Sequence, residues 1–141
     1  MRVKEVYFGF VTVLILILLI LASIFWMVFD IMQVSTVSVS EGKVVVNGYY
    51  HKDISLEGSE VNFKNDMVKI NEEYSGVSHK KFKKGNYMVP DSKIPVYMNL
   101  MDVNGSYIEI IDSNGNIYFI NRENEKETQS LYNKILLEVN N

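Results

Sequence analysis

At 141 residues, with 14 basic against 17 acidic side chains, a formal charge of -3 and no cysteine, the chain has room for one small domain beyond any membrane segment. It lacks the concentrated positive charge that phosphate binding demands, which argues against nucleic acid as a partner. It also has no thiolate with which to build a disulfide framework or a metal site.

The first element in chain order is a charge-free run at residues 6–29, made mostly of Val, Leu, Ile and Phe. As a helix it reaches about 36 Å, more than the roughly 30 Å of bilayer hydrocarbon, so the composition predicts a transmembrane helix. A buried core helix would keep a polar stripe, yet from Leu14 to Leu21 the run is apolar all the way round. A signal peptide needs a shorter apolar region ending in small residues. Here Ala22-Ser23 is followed by Ile24, Phe25, Trp26, Met27, Val28 and Phe29, so the anchor is expected to stay uncleaved. Gly9-Phe10 resembles the processing site of type IV pilins, but Leu14 stands where that family carries Glu, and no Cys follows to accept a lipid.

Arg2 and Lys4 precede the run, whereas the first basic residue after it is Lys43. The positive-inside rule then places residues 1–5 in the cytoplasm and everything after the helix outside the cell membrane. Tyr7 and Trp26 fit the aromatic belts of the two interfaces. Taking away Arg2, Lys4, Glu5 and Asp30 removes equal numbers of each sign, so the outer part keeps the same net charge.

Residues 30–33 are expected to form a short linker of about 10 Å reach, holding a single domain, residues 34–141, close to the bilayer. Val37 and Val39 alternate with Thr36, Ser38 and Ser40, the period of a half-buried strand, and Glu41-Gly42 turns the chain into a second run at 43–50. Three Asn-Gly pairs, Asn47-Gly48, Asn104-Gly105 and Asn114-Gly115, have the chemistry of type I′ hairpin turns; the first also fits a bulge within one strand. The other two separate runs at 96–103, 106–111 and 116–121, which predicts an antiparallel meander. Between these regions, Val61 with Phe63 and Val68 with Ile70 mark two short strands, and Gly76, Gly85, Pro90 and Pro95 break up the rest.

A helix is predicted at residues 124–139. Asn124 is placed to cap it, with Glu127 three residues on and Glu125 in the first turn. Leu131, Ile135 and Val139, widened by Tyr132 and Leu136, form its apolar face.

The order of six or seven short strands followed by one amphipathic helix is that of a pleckstrin-homology-like (PH-like) barrel. The run 76–87, then Pro95-Val96-Tyr97, Tyr107-Ile108-Glu109-Ile110, Asn114-Gly115, Tyr118-Phe119-Ile120-Asn121, Glu127-Thr128 and Leu131-Tyr132 resembles the bacterial PH-like domain family. The resemblance implies a fold of about seven strands in a barrel or sandwich with a C-terminal helix. Its members are often fused to membrane helices, and it implies no catalytic or ligand-binding motif, so no site residue carries over.

Residues of chemical interest are few. His51 and His79 stand at no metal-ligand spacing, Glu72-Glu73 precedes a loop, and no Gly-x-Ser-x-Gly, phosphate-binding loop or His-Glu-x-x-His is present. The expectation is a binding protein rather than an enzyme, with no cofactor and no metal. Asn104-Gly105-Ser106 matches a glycosylation acceptor but reads as a turn. One cluster stands out: Lys80, Lys81, Phe82, Lys83 and Lys84, four ammonium groups around an aromatic ring, suited to contact an anionic surface. Lysines near an anionic bilayer contribute about 1 kcal/mol each. Two readings remain open. One is a single-pass membrane protein whose module binds a protein or peptide, or forms part of a membrane assembly. The alternative is binding of anionic lipid head groups or wall polymer through the lysine cluster.

Overall fold

A computed structural model describes residues 2–140 and resolves into two compact units, Met1–Gln33 and Val34–Asn141.

The first unit is one helix, α1 (Arg2–Met32). It continues past the apolar run, so most of the residues expected to form a linker are helical. Within it Tyr7–Met32, 26 residues with a mean hydropathy of 3.0, is long and apolar enough to cross a membrane, and none of it is buried inside the protein. The hydroxyls of Thr12 and Ser23 donate back to the carbonyls of Phe8 and Ile20, at 2.9 and 2.8 Å. Satisfied within the helix in this way, they do not interrupt its apolar surface.

The second unit is mainly β. Strands β1 (Thr36–Ser40), β2 (Lys43–Asn47) and β3 (Lys52–Ser55) form an antiparallel sheet in that order. Strands β4 (Glu60–Lys64), β5 (Glu72–Ser78), β6 (Lys83–Met88), β7 (Val96–Leu100), β8 (Tyr107–Ile111) and β9 (Ile117–Ile120) form a second sheet, ordered β4-β8-β9-β7-β6-β5. Helix α2 (Glu125–Val139) follows. Nine strands among the described residues replace the expected seven or so. Of the two strands expected in the middle, residues 60–64 form β4, whereas the segment around Val68 and Ile70 is not a strand.

The meander is also corrected. β8 and β9 pair antiparallel as expected, but β7 lies parallel to β9 rather than against β8. The connection from β7 to β8 therefore crosses the end of β9, and the buried Asn121 holds it there. Its Oδ1 accepts from the backbone N–H of Met101 and Asp102 at 2.7 and 3.2 Å, while its Nδ2 donates to the carbonyls of Asp102 and Ser106 at 2.6 and 3.1 Å.

Two apolar cores result. One lies between the sheets and under α2, where Val44, Val46, Ile54, Tyr97, Ile108, Ile110, Tyr118 and Ile120 meet Leu131 and Ile135. The other lies on the far face of the larger sheet, where Tyr87, Val96, Met98, Leu100, Tyr107 and Phe119 are covered by Val68, Ile70 and Val89. A strand covered on both faces cannot alternate, and all five residues of β7 are buried.

The start of α2 is fixed by a reciprocal cap. Asn124 Oδ1 accepts from the Glu127 N–H at 2.9 Å and its Nδ2 donates to Glu127 Oε1 at 2.8 Å. Thr128 is buried, its hydroxyl donating to the Asn124 carbonyl and accepting from the Arg122 N–H. The helix packs on β1, β4 and β8, and Tyr132 meets the Phe63 ring at 5.4 Å.

Candidate functional site: the groove between β1 and α2

Strand β1 has one neighbour, β2, and no strand pairs with its other edge among the described residues. Which backbone groups that edge offers follows from the turn. Glu41 and Gly42, both at positive φ (53° and 68°), make a two-residue loop between Ser40 and Lys43. The pair flanking such a loop exchanges both of its hydrogen bonds. Ser40, Ser38 and Thr36 therefore bond to β2, and Val37 and Val39 point their N–H and C=O away from it.

The chain before the strand fits this parity. Ser35, two residues before Val37, is buried and offers its carbonyl to Arg122, whose Nη1 donates at 2.7 Å. Asn99 Nδ2 donates to the Ser35 hydroxyl at 3.0 Å. At the other end the Gly42 N–H donates to Glu138 Oε2 at 3.0 Å. Strand and helix are thus tied at matching ends, Arg122 before α2 to Ser35 before β1, and Glu138 near the end of α2 to the turn after β1. Between the ties lies a groove of about 470 Å³, with Val37, Val39 and Leu131 on its floor and Arg122, Glu127, Ser130 and Lys134 along its sides. That volume is in the range of ordinary ligand clefts.

The residues singled out in the sequence are placed otherwise. The lysine cluster is the turn from β5 to β6 together with the start of β6, and it is not one exposed patch. Lys80 and Lys81 are exposed. Phe82 is only 8% exposed and stacks on His79 with ring centroids 5.2 Å apart. Lys83 is half-buried, bonded to the Ser78 hydroxyl, with Nζ 5.5 Å above the Tyr87 ring. Lys84 is 2% exposed, with Nζ 5.1 Å from the Phe82 ring centre. Of the five residues picked out for contact with an anionic surface, strand alternation turns Phe82 and Lys84 inward and leaves Lys80 and Lys81 as the outward pair.

His51 Nε2 lies 3.1 Å from Asp53 Oδ1, both side chains exposed, and among the described residues no three His, Asp or Glu side chains gather to hold a metal ion. The run 76–87 has a packing role. Gly76 and Gly85 face each other across β5 and β6, and the Tyr87 hydroxyl beside them donates to the Val77 carbonyl at 2.6 Å. Burial, with the Glu73 carboxylate nearby, pushes that phenol far above its ordinary pKa. Asn121 and Thr128 are likewise structural.

Sequence reasoning singled out β1 as a half-buried strand and α2 as an amphipathic helix. That the two lie side by side is a long-range fact with no local signal. No family model, no curated protein and no solved structure matches this chain.

Proposed function

We propose that this is a single-pass membrane protein of the PH-like type, its module outside the cell membrane, that docks a protein segment in the groove between β1 and α2. The membrane part of the reading rests on α1, whose span is apolar all round over the length a bilayer needs. The PH-like part is supported by a string of short strands in two packed sheets closed by a C-terminal helix.

The observation that carries docking is the open edge of β1. Sheet edges are places where foreign strands add, and proteins blunt them with charge, brevity, bulges or cover. Charge, brevity or a bulge blunts three of the four edges here, and α2 lies against the fourth. β3 is four residues long and carries Lys52 and Asp53, β4 carries Glu60 and Lys64, and β5 has two glutamates and a register shift between Glu73 and Ser75. β1 reads Thr-Val-Ser-Val-Ser, uncharged and unbulged.

A photo-crosslinking side chain in place of Ser130, in the full chain in its own membrane, tests the reading. A discrete protein adduct is expected from that position and none from the same group at Asn114. Lipid adducts alone at Ser130 overturn protein docking. Anionic-vesicle binding that disappears when Lys80 and Lys81 become Ser would favour lipid recognition in its place.

A further inference from the structure

We infer that the far face of the larger sheet holds a second site, separate from the groove between β1 and α2, which takes a small aliphatic monocarboxylate with its head on Lys83.

A cavity of about 480 Å³ lies there, over β5, β6 and the end of β7, in the size range of small-molecule sites. Strand register sets its floor. Lys83 stands opposite Ser78 on β5 and Leu100 on β7, and Tyr87 stands opposite Glu73 and Val96, so these side chains share one face. Between the two rows Gly76 faces Gly85. With no side chain on either, the Tyr87 ring lies back over them, its hydroxyl 3.0 Å from where a Gly76 Cβ would stand, and the bond to the Val77 carbonyl fixes it. Val68 and Ile70, from the segment before β5, pack on this face and line the cavity.

The apolar walls do not account for Lys83. It is half-buried at one end of the cavity, and its partners there, the Ser78 hydroxyl and the Tyr87 ring, are both neutral. Among the described residues no carboxylate lies within ion-pair distance of it. An ammonium group partly removed from water beside an apolar space is stabilised by an anion that enters. Glu73 lines the same cavity but belongs to the Tyr87 row, about 13 Å away along β6 at the rise of an extended strand. The two ends thus carry opposite charge. A carboxylate settles at Lys83, its alkyl chain runs over the Tyr87 ring beneath Val68 and Ile70, and the Glu73 end repels a second acid. The Lys83 end is also preformed. The Val103 N–H donates to the Lys81 carbonyl at 2.9 Å, tying the turn between β5 and β6 to the connection that Asn121 clamps, so little ordering is left for the ligand to impose.

The experiment uses the full chain in nanodiscs of zwitterionic lipid, with binding read from the methyl NMR shifts of Val68, Ile70 and Leu100. Octanoate is compared with octylamine, which exchanges the head for a cation, and with octanedioate, which adds a second carboxylate. Octanoate is expected to shift all three sets of methyls saturably in the millimolar range and to leave those of Val37 and Val39 in place. Octylamine and octanedioate should both bind roughly tenfold more weakly, and Glu73→Gln should narrow the gap for octanedioate alone. Lys83→Met, which keeps the apolar stem, should weaken octanoate roughly tenfold. Lys81→Met, the same change of charge on an outward side chain, should leave it unchanged.

Equal binding of octanoate and octylamine, equal losses in Lys83→Met and Lys81→Met, or no saturable shift at the three sets of methyls overturns the site. The comparison of octanoate with octylamine needs no substitution, so it decides even if Lys83→Met fails to fold. Octanedioate binding as tightly as octanoate overturns the role of Glu73.

Discussion

A methyl group added at Gly85 would sit 2.4 Å from the Ser75 carbonyl oxygen and 2.5 Å from the Gly76 Cα, at a φ of +116° that side chains rarely adopt. Both obstacles are backbone, so neither can swing away. Gly85→Ala is expected to cost about 3 kcal/mol or more, read as a lowered denaturant midpoint of the full chain. Glu41 is the converse case, the sole described residue other than glycine at positive φ. Asn tolerates that region far better. Glu41→Asn should therefore raise stability by about 0.5–1 kcal/mol, and a midpoint that fell would show that the Glu41 side chain matters more than its backbone. Local chemistry of this kind was partly readable in advance. The Asn124 cap needs only neighbours four residues away, and it forms as the sequence predicts. The Asn-Gly pairs misled because each of the last two follows an Asp by two residues: Asp102 and Asp112 accept the N–H of Asn104 and Asn114 at 3.0 and 2.9 Å. Those side-chain turns close longer loops and displace the two-residue hairpin. Among the described residues the one turn with two positive φ values is Glu41-Gly42, which the sequence marked only as a turn.

Among elements, β7 and β9 show where periodicity stops informing. Runs of apolar residues in both predicted strands, but nothing in them says that β9 slips between β7 and β8. Asn121, whose four bonds hold the crossing, looked only like the end of a strand. Placing those strands at the centre buries two phenols, and this has a consequence in alkali. Tyr97 is pushed up to about 12 by burial, partly offset by a hydrogen bond from Asn99. Tyr118 is likewise raised to about 12 by burial and by the Asp112 carboxylate that accepts its hydroxyl at 2.9 Å. An unfolded tyrosine releases its proton near pH 10. Between pH 10 and 12 the folded chain thus holds protons that the unfolded chain has lost, so stability is whole below pH 10 and falls as pH rises toward 12. Denaturant midpoints across that window should decline, more steeply than for Tyr118→Phe, which has one phenol fewer to ionise. A flat profile would mean that these hydroxyls are not held neutral by the fold.

For the molecule as a whole, the sequence located α1 plainly, because a run this long and apolar all round, of the length a bilayer requires, stands out from everything after it. The side on which the β unit stands rests on far less, the charges of Arg2 and Lys4 against the absence of any basic residue before Lys43. A chain without cysteine makes this easy to probe, since each introduced thiol is alone. Lys93 and Lys126 are exposed on the β unit. Cysteines at those positions are expected to react with a membrane-impermeant maleimide in intact cells, and one replacing Val3 only after the membrane is opened. The reverse pattern would put the groove between β1 and α2 in the cytoplasm and change which partners can reach it. Because the expected direction rests on so few charges, Arg2→Glu with Lys4→Glu should split the population between orientations, with labelling at Lys126→Cys dropping in proportion. If labelling stayed complete, the β unit itself, rather than the flanking charges, would be what fixes its side of the membrane.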